Sequence, residues 1–264
     1  MNQSSTPMAV LFICRSGFRR TVFGGALSAL LCLSHTARTS EAEKGCREAY
    51  ADHANTIFAC NVVIASPSVP IPQLIRALEI RAQALLSTGK PELALVDYTH
   101  AIGYLPAGKL QGYILYLRGK TYLIHLADQL PNALADLQRA NRQAPGNTRI
   151  LEALATAYGK AGQTVDAIRI ASEAIASDRR SVTALQIRAE SYEKRGQIRQ
   201  ALDDLDALLA ESPHDPDLMI WRGRIHQRRN NLYAALADYR NAARLRSDAD
   251  LLARIQRLEQ QIGK

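Results

Sequence analysis

The chain has 264 residues, 22% of them charged and 47% hydrophobic, with a formal net charge of +8. It is rich in Ala, Leu, Arg and Gln, a composition that favours an all-α body and excludes a β-sandwich or a disordered tail as its main part. Residues 1–40 hold four arginines and no acid, so the rest carries +4, an ordinary solvated surface and not a nucleic-acid footprint.

Those first forty residues read as a targeting segment. Arg15, Arg19 and Arg20 form a basic region, Thr21 to Leu33 the apolar stretch, and Ser34, Thr36 and Ala37 are small residues suited to cleavage. The expectation is an export signal that delivers the remainder to the periplasm or a comparable compartment. The alternative is an uncleaved membrane anchor, for which about thirteen apolar residues with two glycines are short. An extra apolar run, Met8 to Cys14, makes Met8 a second candidate start, and Arg19-Arg20 only faintly resembles a twin-arginine signal. Beyond residue 40 nothing is apolar for long enough to span a bilayer.

Cys14 and Cys32 fall in the leader, which leaves Cys46 and Cys60. In an oxidising compartment this pair can close a loop of about fifteen residues; otherwise they are two buried thiols on helices. Residues 41–71 around them are read as a degenerate N-terminal hairpin.

A period of 34 residues organises the remainder of the chain. Ala133, Ala167, Ala201 and Ala235 are each 34 apart, as are Ala155, Ala189 and Gly223; Tyr158, Tyr192 and His226; and Gly162, Gly196 and Asn230. Two earlier units are less regular, with Ala82 and Gly119 in the small-residue column and Ala94, Tyr98 and Tyr122 beside it. Their extra residues are assigned to loops near Ala107–Gln111 and Asp128–Pro131. Asn147, Ser181 and Asp215 are candidate helix caps, and Pro106, Pro145 and Pro213 stand where second helices should stop. Leu251, Leu252, Ile255, Leu258 and Ile262 form an apolar stripe on a closing helix, residues 248–264, with Arg254 read as lying off it.

These columns resemble the tetratricopeptide repeat family over about residues 72–247. The resemblance implies a right-handed α-solenoid of about five stacked helix-turn-helix hairpins, with small residues where helices cross and tyrosines between hairpins. It also implies a concave wall lined by the first helix of each unit. The inward positions are Arg76, Glu79 and Gln83; Tyr113, Tyr116 and Lys120; Arg149, Glu152, Thr156 and Lys160; Gln186, Glu190 and Lys194; and Ile220, Arg224 and Arg228. The Lys and Asn clamp of chaperone-binding members is not matched there.

No motif for catalysis, a cofactor or a metal is present: there is no phosphate loop, no His-Glu-x-x-His and no zinc-like Cys/His spacing. Trp221 and His226 read as packing residues, and Asp203, Asp204 and Asp206 as one solvated face. The expected function is a non-enzymatic scaffold holding a protein or peptide. The alternative is a binder of anionic cell-envelope polymer through Arg149, Lys160, Arg224 and Arg228.

Overall fold

The computed structural model describes residues 41–46, 52–246 and 249–263; residues 1–40, the expected targeting segment, lie outside them. Regular structure among the described residues is entirely helical. The first pair is α1 (residues 41–46) and α2 (His53–Ile64). Five hairpins come next: α3 (Ile71–Ser87) with α4 (Pro91–Gly103), α5 (Lys109–His125) with α6 (Leu130–Gln143), and α7 (Thr148–Lys160) with α8 (Thr164–Ser177). Then come α9 (Val182–Lys194) with α10 (Ile198–Glu211), α11 (Pro216–Arg228) with α12 (Leu232–Leu245), and the closing helix α13 (Ala249–Ile262).

Local chemistry sets these boundaries. Asn147, Ser181 and Asp215 each accept backbone N–H groups from the first turn of α7, α9 and α11, satisfying donors that the helix cannot. Inside four hairpins the chain reverses through a left-handed residue, with φ of 71° at Gly89, 72° at Gly162, 71° at Gly196 and 57° at Asn230. Glycine carries no Cβ penalty there, and asparagine is the side chain that best tolerates its loss. The second hairpin turns instead through a 3-10 segment, Ala127–Gln129.

Part of the extra length assigned to loops in that unit is helical. α5 has 17 residues where α7, α9 and α11 have 13, and Lys109–Gln111 form its first turn. The reason is a buried polar anchor: the Gln111 amide donates to the Leu105 carbonyl at 2.7 Å and its oxygen accepts from Gln143 at 2.7 Å. That arrangement holds the added turn against the neighbouring helix.

Both small-residue columns are buried. Ala82, Ala155 and Ala189 on first helices, and Ala94, Ala133, Ala167, Ala201 and Ala235 on second helices, have no exposed surface. Gly119 and Gly223 mark the tightest crossings. A Cβ on Gly223 would lie 2.7 Å from the Tyr239 ring, and one on Gly119 2.8 Å from Leu137 Cγ, both inside contact distance. Tyr98 and Tyr239 pack in their own hairpins and against the next element, Ile114 of α5 and Leu251 of α13 respectively.

A recurring ion pair fastens each crossing except the third. Arg81, Arg118, Arg188 and Arg222 on first helices grip Asp97, Asp136, Asp204 and Asp238 through two nitrogens each. Donating to these aspartates raises Arg118, Arg188 and Arg222 above the ordinary arginine value. A third nitrogen reaches the preceding second helix, at Asn61, Thr99, Ser172 and Asp206. In the third hairpin the same two positions hold Leu154 and Ile170, each 2% exposed.

The reading of Asp203, Asp204 and Asp206 as one solvated face is therefore corrected. Asp203 is exposed and Asp206 pairs at the surface with Arg222 of the next hairpin, while Asp204 is buried against Arg188. Asp204 lies between Ala201 and Leu208 on the buried stripe of α10, so the helical period turns it inward.

Cys46 and Cys60 form a disulfide that ties α1 to α2, with Cα atoms 4.8 Å apart. At the other end, Leu251, Ile255 and Leu258 of α13 cover the fifth hairpin. No helix among the described residues is long and apolar enough to cross a membrane.

Candidate functional site

The first helices crowd together on one side of the stack. α5 touches α7 and α7 touches α9, whereas second helices of successive hairpins make no comparable contact. Side chains bridge this row directly: Tyr113 to Glu79, Lys160 to the Leu123 carbonyl, and Trp221 to Glu193. These bridges join the first helices into one row, the row on which the concave wall was expected.

Its amino-terminal half carries an aromatic pair. Tyr113 is 39% exposed, and its ring centroid lies 6.4 Å from that of the half-buried Tyr116. The Tyr113 hydroxyl donates to Glu79 Oε1 at 3.1 Å, and Gln83 donates to the same oxygen. Partial burial, then the Glu79 carboxylate, push the Tyr113 hydroxyl up to about 12, so it is a neutral donor at physiological pH. Lys120 Nζ stands 6.0 Å from the centre of the Tyr116 ring. Arg76 and Arg149 are exposed on the same row.

Other predicted positions are used by the fold. Glu152 accepts the hydroxyl of Ser181, the α9 cap, at 2.6 Å, and Thr156 donates to its own helix at the Glu152 carbonyl. Lys160 Nζ reaches the Leu123 carbonyl at 3.5 Å. Glu190 is paired with Lys194 at 2.7 Å along one face of α9, an exposed contact worth little. The four cations named for polymer binding are thus not equivalent: Lys160 and Arg228 are engaged, the latter with Glu193.

The carboxy-terminal half holds a cluster that the sequence reading did not assemble. Glu193 of α9 accepts the Trp221 indole N–H at 2.5 Å and pairs with Arg228. Beside it lies a cavity of about 270 Å³ lined by Glu193, Arg224, Gln227, Arg228 and Arg254. Arg254, placed off the apolar stripe of α13, is half-buried and stands 5.7 Å from the centre of the Tyr239 ring. Its signal was present, because it follows Leu251 by three residues and precedes Leu258 by four, spacings that share one helical face. His226 is half-buried, with a contact of 3.4 Å between its Nδ1 and Asn231.

No family model matches the sequence, and no curated protein matches it. Solved structures do resemble the fold. The crystal structure of YrrB, described as a tetratricopeptide-repeat protein with an unusual peptide-binding site, aligns with a TM-score of 0.58 at 19% identity. It covers 69% of this chain and 91% of its own. MamA from Desulfovibrio magneticus RS-1, residues 41 to the end, gives 0.61 at 14% identity over 67% of this chain and 97% of its own. A tetratricopeptide repeat protein from Parabacteroides merdae gives 0.53 at 20% identity over 86% and 84%. With the 34-residue period, the buried small-residue columns and the stacked hairpins, this chain has the tetratricopeptide-repeat fold.

Proposed function

We propose that the chain is an exported, non-enzymatic scaffold that holds a protein or peptide segment along its row of first helices. The observation that carries this reading is the Tyr113–Tyr116 pair, the first ring exposed and the second half-buried, with Glu79, Lys120 and the exposed Arg76 and Arg149 around it. Aromatic rings supply apolar contact area at low entropic cost, and the flanking charges and hydroxyls orient a backbone or polar side chain. The resemblance to YrrB, described as having a peptide-binding site, supports the same use of the fold. Anionic polymer is the weaker candidate ligand, since two of its four expected cations are already engaged within the protein.

The leader sequence and the Cys46–Cys60 disulfide support export to an oxidising compartment. Chain isolated from cells should then resist thiol labelling at both cysteines until reduced; ready labelling would count against that location.

The test of the groove is the paired substitution Tyr116→Ala with Arg149→Ala. Arg149 is exposed but Tyr116 also packs on the core, so helicity should hold while the melting temperature falls, and capture is compared well below it. Proteins captured by the wild-type chain from an envelope fraction should be lost. Unchanged capture would remove the groove from the account.

A further inference from the structure

The cavity between the fourth hairpin, the fifth hairpin and α13 has more positive charge than its fold uses. Arg228 is committed to Glu193, which also holds the Trp221 indole. Neither Arg224 nor Arg254 has a carboxylate within ion-pair distance among the described residues; Arg254 stands over the Tyr239 ring and hydrogen-bonds with that residue's neutral side chain. Gln227 is oriented by the Tyr239 hydroxyl, which donates to its Oε1 at 3.0 Å, so its N–H pair is the part left to donate. The cavity therefore offers two guanidiniums without a carboxylate partner and an amide donor.

We propose that this cavity receives an aspartate or glutamate side chain of the bound segment, so that the partner is an acidic peptide. The proposal rests on the groove reading and names its ligand class. Planar guanidiniums match a carboxylate two nitrogens to two oxygens. Glu193 in the lining repels any anion, and a phosphate dianion about twice as strongly as a carboxylate monoanion. The cavity is continuous with a cleft of about 500 Å³ that shares Glu193, Arg224 and Arg228 and runs past Trp221, Glu190 and Lys194. A chain lying on the first helices reaches it without leaving the wall.

The test uses the full chain and a fluorescein-labelled decapeptide of alternating glutamate and alanine, its glutamine counterpart, and linear polyphosphate as competitor. The glutamate peptide should bind at least about tenfold tighter than the glutamine peptide, the effect of one charge-assisted contact. Arg224→Gln with Arg254→Gln should abolish that preference. Arg179→Gln with Arg199→Gln, which removes the same charge from exposed sites elsewhere, should keep it. Glu193→Gln still accepts from Trp221 but frees Arg228, so it should tighten glutamate-peptide binding severalfold.

A preference that is absent, that survives the Arg224/Arg254 pair, or that weakens in Glu193→Gln overturns the proposal. So does polyphosphate binding tighter than the glutamate peptide. Loss of the preference in the wild type alongside Tyr116-dependent capture would discard this pocket and keep the groove. Glutamate preference with capture independent of Tyr116 and Arg149 would support the pocket and discard the aromatic site.

Discussion

The third and fifth hairpins solve the same two packing problems in opposite ways. At the crossing, the third sets Ala155 and Ala171 in the positions that the fifth fills with Gly223 and Tyr239, all of them buried. Beside it, the third uses Leu154 and Ile170 where the fifth uses Arg222 and Asp238. Each site tolerates either chemistry but requires both partners to agree. Two apolar residues fill the space with dispersion contacts, two opposite charges fill it with hydrogen bonds, and a mixture leaves a buried charge alone. The third hairpin also differs in its links to its neighbours. With no arginine to reach back, Tyr158 accepts from Gln138 at 2.9 Å, and its core cluster runs on into Leu137 and Ala184 of the flanking hairpins.

The comparison breaks hardest when one partner is removed. Asp204→Ala leaves Arg188 without its carboxylate at a site where the two side chains are only 21% and 5% exposed. It should cost about 3–5 kcal/mol in denaturant unfolding; a loss below about 1 kcal/mol would mean that water already screens the pair. Next in size is Gly223→Ala, which drives a methyl into the Tyr239 ring and should cost about 1–3 kcal/mol. The double variant Gly223→Ala with Tyr239→Leu copies the fourth hairpin, where Ala189 faces Leu205, and should recover part of that loss in a melting experiment. The smallest effect is the most informative. Arg188→Leu with Asp204→Ile copies the third hairpin into the fourth and should change stability by no more than about 1 kcal/mol, or raise it. A double variant as unstable as Asp204→Ala would show that the ion pair is required by its surroundings and not exchangeable.

Much of this architecture was legible in the residue order, because it depends on local spacing. Asn147, Ser181 and Asp215 cap helices within three residues of themselves, and Gly162 and Gly196 turn the chain beside the helices they end. The exchange of Arg and Asp for Leu154 and Ile170 was also written in the repeat columns, but it becomes a pairing only when two helices are placed side by side. The expected groove positions were named from the repeat register, yet only packing sorts them: Tyr113 stays exposed, Tyr116 is half-buried against the core, Glu152 is drawn to Ser181 and Lys160 to Leu123.

The amino-acid sequence by itself determined most helix boundaries, the apolar faces and that hairpins must stack, since each of these stems from periodicity over a few turns. Tertiary structure alone decided which polar side chains are used up and which remain for a partner. Glu193, Arg224, Gln227 and Arg254 come from three helices, and Arg254 is more than sixty residues along the chain from Glu193. Their convergence depends on the angle at which one hairpin settles on the next, and side-chain volumes throughout the stack set that angle together.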